Sequence, residues 1–170
     1  ATDFEDDMKH RLFALLALGL ATVATGFLHQ SAALADQAAT DSDLPLEEQL
    51  RAVNDYANEK RYLLDIDNYG LEDYWAIARE FLYNGGDCED YAITKLFSLR
   101  WLGFPTDELR IVVLQDTNLR IPHAVLAVAS SDDIMIMDNQ IHEVISHRDI
   151  VHYAPVYSIN EQDWWIHLPN

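Results

Sequence analysis

The sequence predicts an α+β domain, with N-terminal helices packed on an antiparallel sheet. Three observations carry this. Apolar residues recur at helical spacing up to Leu102. Beyond Gly103 and Pro105 the period shortens to that of strands, in runs rich in Val and Ile. A polar turn, Ser130-Ser131-Asp132-Asp133, separates two of those runs and reads as a hairpin. Of the 170 residues 49% are hydrophobic and 24% charged, a globular composition for one domain. The net charge is −18, from 29 acidic against 11 basic residues. That excludes nucleic acid as the main partner, because phosphate binding needs clustered Lys and Arg. It also argues against docking on anionic lipid headgroups.

Residues 1–35 read as an export signal. Lys9 and Arg11 form a basic start, Leu12 to Leu28 carry no charge, and Ala33 and Ala35 form a small-residue cleavage site. The run is apolar all round, unlike an amphipathic core helix, and it sits near the lower length limit for a retained anchor. Residues 1–7 contain three Asp and a Glu, which no such leader begins with, so Met8 is the expected start. Cleavage after Ala35 predicts a periplasmic protein with no stable membrane insertion. Residues 36–45 are small and polar and read as a linker; residues 46–170 are the expected domain.

Within that domain Leu46, Leu50, Val53, Tyr56 and Ala57 predict a helix running to about Tyr62. Asp65 to Gly70 is a polar turn. Asp73 to Leu82 predicts a short helix with Tyr74, Ile77, Ala78 and Phe81 on one side, broken at Asn84-Gly85-Gly86. Asp87 can cap the next helix, and Glu89 and Asp90 place acids in its first turn, where the helix dipole favours them. Ala92, Ile93, Leu96, Phe97 and Leu99 to Leu102 supply its buried stripe, and Gly103 is the stop. Strands follow at Leu109–Gln115, Ala124–Ala129 and Ile134–Met137, with a further pair at Glu143–Ile145 and Val156–Ile159.

The chemistry centres on Cys88, the single cysteine, which excludes an intrachain disulfide and a Cys-based zinc site. In an exported protein an unpaired thiol is exposed to oxidation and needs a reason to be there. A helix start lowers a thiol pKa, whereas the adjacent Asp87, Glu89 and Asp90 raise it. A cation, His⁺ or metal, would resolve that conflict. The competing role is a small buried hydrophobe.

Among the histidines, His123 stands at the start of a strand and Asp138 at the end of the next. If the hairpin leaves two residues unpaired, His123 faces Asp138. If it leaves four, His123 faces Gln140 and Asp138 lies on the diagonal. Strand periodicity puts His123 and Asp138 on one face in both registers. A carboxylate on one imidazole nitrogen fixes the tautomer and steadies an imidazolium. With the Cys88 helix start on that face, the set becomes a Cys–His–Asp triad. The backbone N–H of Cys88 is the natural oxyanion donor. Trp75 is the candidate second donor through its indole N–H, with core packing as its competing role.

Asn84-Gly85-Gly86-Asp87-Cys88-Glu89-Asp90-Tyr91-Ala92 resembles the cysteine motif of the bacterial transglutaminase-like cysteine proteinases. Asp73-Tyr74-Trp75-Ala76, Pro122-His123-Ala124-Val125-Leu126, Met137-Asp138-Asn139 and Pro155-Val156-Tyr157-Ser158-Ile159-Asn160 resemble further motifs of that family, in its order. The resemblance covers Leu46 to Trp165. It implies a papain-like, transglutaminase-like core with Cys88 as nucleophile, His123 as general base and acid, and Asp138 as orienting acid. It also implies a Ca²⁺ site with Asp87 and Glu89 as ligands and Asp67 as a further candidate. Carboxylate oxygens suit that ion. The implied substrate is the periplasmic end of a large surface adhesin, whose cleavage controls biofilm attachment. The implied regulator is an inner-membrane cyclic-di-GMP receptor.

Two departures stand out. Ile77-Ala78 follows the Asp-Tyr-Trp-Ala segment where the family usually has Thr-Pro, and the extension before the first helix is short. Two other readings remain open at this point: acyl transfer to an amine by the same triad, and a non-catalytic calcium-binding interaction module.

Overall fold

A computed structural model describes residues 44–168. The expected leader and most of the linker lie outside the described residues. Four helices come first: α1 (Leu46–Asn58), α2 (Asp65–Asn68), α3 (Ala78–Asn84) and α4 (Cys88–Trp101). Six strands follow: β1 (Leu109–Asp116), β2 (Ile121–Ala129), β3 (Ile134–Met137), β4 (Ile145–Ser146), β5 (Tyr153–Ile159) and β6 (Trp164–Ile166). They form one sheet in the order β4-β3-β2-β1-β5-β6. Every pairing in it is antiparallel. The α+β expectation therefore holds. Among the described residues no helix is long and apolar enough to cross a membrane.

α4 is the axis of the domain. Every residue from Glu89 to Leu96 is buried, charged ones included, because α4 packs on β1 and β2, on α1 and on α3. Ile93, Leu96 and Leu99 each contribute about 1.5–3 kcal/mol by leaving water. Trp101 was expected in the buried stripe and is instead 73% exposed. It occupies the last turn of α4, which the chain leaves at Gly103 (φ 97°). α1 presents Leu50, Val53 and Ala57 to the core, as its spacing predicts, and ends at Asn58, short of the predicted Tyr62. Tyr62 has instead left the helix and bridges Gly86 in parallel fashion. Leu63 N–H donates to the Gly86 carbonyl at 2.9 Å, and Gly86 N–H to the Arg61 carbonyl at 3.3 Å. Gly85 adopts φ 83°, and a Cβ there would strike the Arg61 carbonyl oxygen. Residues 61–63 therefore lie along the loop that delivers Cys88.

The predicted helix at Asp73–Leu82 begins only at Ala78; Asp73 to Ile77 are irregular. Side chains from elsewhere in the chain hold the backbone donors of this stretch in a non-helical path. Asp65 accepts the Tyr74 N–H, Asp90 accepts the Ala76 N–H at 2.7 Å, and Glu80 accepts the Ile77 N–H at 3.3 Å. The polar turn at Asp65–Gly70 is a single helical turn, α2.

The β2–β3 hairpin pairs Ala129 with Ile134 and Leu126 with Met137, leaving Ser130 to Asp133 as the turn. This is the longer of the two expected registers. Extended by three residues, it sets His123 opposite Gln140. β2 also begins earlier than expected, at Ile121, so Pro122 and His123 pair with Gln115 and Leu114 inside the sheet. Of the expected strand Glu143–Ile145, β4 keeps only Ile145 and adds Ser146, whereas β5 is longer than expected and carries Tyr153 into the sheet.

Candidate active site

β2 holds His123 rigidly and hides it, at 2% exposure. Its Nε2 lies 2.8 Å from Asp138 Oδ1. Asp138 is the first residue past β3 and is 1% exposed. Burial alone would raise the Asp138 pKa. The hydrogen bond and charge of His123, the Gln140 N–H and the Tyr153 hydroxyl outweigh it and hold the carboxyl below its ordinary range. The Gln140 N–H donates to Oδ1 at 2.9 Å, and the Tyr153 hydroxyl donates to Oδ2 at 2.6 Å. Behind the acid, Asn58 of α1 donates to the Asp138 carbonyl at 2.8 Å. An ionised Asp138 keeps the imidazole proton on Nε2 and leaves the lone pair on Nδ1. Sequence periodicity predicted this His–Asp juxtaposition, and the observed register produces it through the diagonal.

Cys88 is the first residue of α4. Its thiol donates to Glu89 Oε2 at 3.3 Å. Burial, followed by the charges of Glu89 and Asp87, pushes the thiol pKa up, and the Ala124 N–H works against them. That N–H belongs to the residue next to His123, so the thiol meets the start of β2. Asp87 stands at the N-cap position but makes no side-chain capping bond, contrary to the expected cap. Asp90, also in the first turn, is fully buried and accepts the Ala76 N–H. The Trp75 indole N–H donates to Asp73 Oδ1 at 3.1 Å, so in this structure a carboxylate takes the proposed oxyanion donor.

Two of the expected metal ligands, Asp87 and Glu89, belong to a larger acidic cluster. Asp65, Asp87 and Asp90 each offer a carboxylate oxygen within 4.8 Å of the others, and so do Asp65, Asp73 and Glu89. Asp67 belongs to none of these groups and is exposed on α2. Asp65 Oδ1, Asp87 Oδ1 and Asp90 Oδ2 are buried without a hydrogen-bond partner. Desolvation is the leading cause of the raised pKa values, which reach about 6 for Asp65, about 8 for Asp90 and about 10 for Glu89; Asp87 is also raised. Orphaned carboxylate oxygens converging in a buried space suit a hard cation with oxygen ligands. Sequence reasoning missed Asp65, Asp73 and Asp90 as members of this set. Asp65 lies two residues from the expected Asp67, and Asp73 lies inside a motif already recognised, but only folding brings them together.

Tyr153 and Lys95 were also missed. Lys95 is buried on α4 with no hydrogen-bond partner for Nζ, and burial lowers its pKa to about 7 despite the attraction of Asp138 and Asp55.

Comparison with known proteins gives the family. Residues 29–170 match the family model described as bacterial transglutaminase-like cysteine proteinase. No curated protein sequence matches significantly. Among solved structures, the chain resembles EGTA-treated Legionella pneumophila LapG at 27% identity and a TM-score of 0.72, covering 95% of this chain and 86% of that one. Calcium-bound Legionella pneumophila LapG matches at 28% identity and a TM-score of 0.71, over 91% of this chain and 87% of that one. The family match spans all the described residues, Cys88, His123 and Asp138 among them. This chain belongs to the bacterial transglutaminase-like cysteine proteinases.

Proposed function

We propose that the chain is a periplasmic cysteine endopeptidase that cleaves the N-terminal region of a large surface adhesin and so controls biofilm attachment. The observation that carries the catalytic part is the buried His123–Asp138 pair, 2.8 Å apart, with the Cys88 thiol facing the Ala124 N–H beside it. His123 Nδ1 takes the Cys88 proton, and the thiolate attacks the peptide carbonyl. The imidazolium then gives its proton to the leaving amine, and water, activated by the same nitrogen, hydrolyses the thioester. Asp138 keeps Nε2 protonated and balances the imidazolium charge. The Cys88 N–H, at the start of α4, serves as the oxyanion donor in this reading.

Asp87 and Glu89, with Asp65 and Asp90 beside them, are the residues that would hold a calcium ion. Bound there, the ion would neutralise the carboxylates that otherwise raise the thiol pKa. The calcium-bound and EGTA-treated descriptions of the related structures support this reading. The periplasmic location rests on the export signal read from residues 8–35, and the adhesin substrate and an inner-membrane cyclic-di-GMP receptor as regulator rest on the family resemblance.

The test is cleavage of an adhesin N-terminal segment by the purified chain, with Cys88→Ala as control, each with calcium and with EGTA. Loss in both the variant and the chelated sample is expected. Loss in the variant alone would remove the metal requirement. No cleavage by the wild type with calcium and a free thiol would sink the endopeptidase reading; incorporation of an added amine would then point to acyl transfer.

A further inference from the structure

The imidazole of His123 has a second partner that the proposed chemistry does not use. Gln140 Nε2 lies 3.3 Å from His123 Nδ1, the nitrogen that must receive the thiol proton. The same residue's backbone N–H donates to Asp138 Oδ1 at 2.9 Å. The hairpin register accounts for the placement, because the β2–β3 pairing extended past Leu126↔Met137 sets Gln140 opposite His123. Gln140 therefore grips both members of the pair, one through its backbone and the other through its side chain. The Cys88 thiol, meanwhile, is directed to Glu89 Oε2.

From this geometry we infer that Gln140 is a positioning residue that holds the base in reserve. Its amide N–H occupies the Nδ1 lone pair in the resting protein and must swing aside before Cys88 can pass its proton to that nitrogen. This rests on the reading of Cys88 and His123 as nucleophile and base. A donor already seated on the lone pair must be displaced before that nitrogen can accept another proton. A neutral hydrogen bond of this kind changes an equilibrium by about 2- to 10-fold. While the amide holds Nδ1, the sulfur proton stays on sulfur. When the amide leaves, the proton moves from Sγ to Nδ1, giving a thiolate and an imidazolium. The backbone contact to Asp138 does not depend on the side chain, so the acid stays oriented as the base is released.

The decisive variant is Gln140→Met, which keeps side-chain length and the backbone N–H but removes the amide. Two measurements are made on the full chain with saturating calcium at one neutral pH. One is the ¹⁵N resonance of His123 Nδ1, recorded in a Cys88→Ala background. The other is the rate of Cys88 alkylation by iodoacetamide, with His123→Ala as reference. The expected result is a shift of the Nδ1 resonance toward that of a free lone pair in Gln140→Met, together with alkylation about 2- to 10-fold faster than wild type. A purely structural role would move neither in that direction. An unchanged Nδ1 resonance, or alkylation no faster than wild type while His123→Ala is slow, overturns the role of Gln140 alone. Alkylation of His123→Ala at the wild-type rate overturns the thiol–imidazole pairing, and this inference with it. Gln140→Ala serves as the second variant if Gln140→Met loses its fold by circular dichroism.

Discussion

The Tyr153 hydroxyl donates to Asp138 Oδ2 at 2.6 Å, on the oxygen opposite the one that holds His123. Its ring also meets the imidazole edge to face, with centroids 5.7 Å apart. Tyr153 thus supports the pair both electrostatically and sterically. Burial, then Asp138, raises the phenol pKa, so it remains a donor across the neutral range.

Tyr153→Phe keeps the ring and removes the donor. A hydrogen bond to a charged group is worth about 1.5–3 kcal/mol. Turnover should fall by roughly 10-fold or more, with KM little changed, since Tyr153 keeps Asp138 ionised and aimed at His123. Steady-state kinetics on a peptide substrate would decide it; a fall confined to KM would be the wrong result for this argument.

Gly86→Ala should destabilise the chain. A Cβ at Gly86 would run into the Asp90 side chain, which is fully buried and tied to the Ala76 N–H. Overpacking of this kind costs about 1–3 kcal/mol. The expected outcome in chemical denaturation is a lower midpoint with an unchanged slope. An unchanged midpoint would mean that Asp90 is free to move.

Lys95→Met should stabilise the protein below neutral pH. Burial lowers the Lys95 pKa in the fold to about 7, whereas the unfolded chain keeps the ordinary lysine value of about 10.4. Between those values the unfolded state binds the extra proton, so wild-type stability from this group rises with pH. Below about 7 both states are charged, and the burial cost of the ammonium is fully present. The variant's advantage should be about 1–4 kcal/mol at pH 6 and should shrink as pH rises toward 10. Paired urea titrations at pH 6 and pH 9 would measure it. A constant difference would show that Lys95 is not the titrating group.

Calcium should raise the melting temperature, and Glu89→Gln or Asp87→Asn should blunt the rise. A ligand at about 100 times its Kd adds about 2.7 kcal/mol to the folded state. The sign with pH follows from the raised carboxyl values. In the unfolded chain these acids ionise near pH 4, whereas in the fold Asp65 holds its proton to about 6 and Asp90 to about 8. Without the ion, their contribution is present at low pH and is lost as pH climbs through that window. The calcium effect should therefore grow between pH 5 and pH 8. Scanning calorimetry with calcium and with EGTA is the measurement, and equal shifts at both pH values would count against the cluster.

Much of this architecture was legible because its determinants are local. The change of apolar period after Gly103 separates helices from sheet. Gly85-Gly86 before Cys88 marks a helix start. His123 and Asp138 share a face in either even register, since side chains alternate along any strand. What local pattern could not reveal was which partners distant segments would offer. Asp73 to Ile77 read as helix until Asp65 and Asp90, arriving from either side in the chain, took the backbone donors of Tyr74 and Ala76. Asp65 rather than Asp67 entered the acidic cluster because one turn of α2 buries the first and exposes the second. Tyr153 and Gln140 gained their places from the length of β5 and the four-residue hairpin turn. The sequence by itself determined the fold class, the helix start at Cys88 and the His–Asp face, because each depends on spacing within one or two elements. Tertiary structure alone decided the gathered carboxylates and the second grip on the imidazole, because those depend on which buried polar atoms must find a partner across the fold.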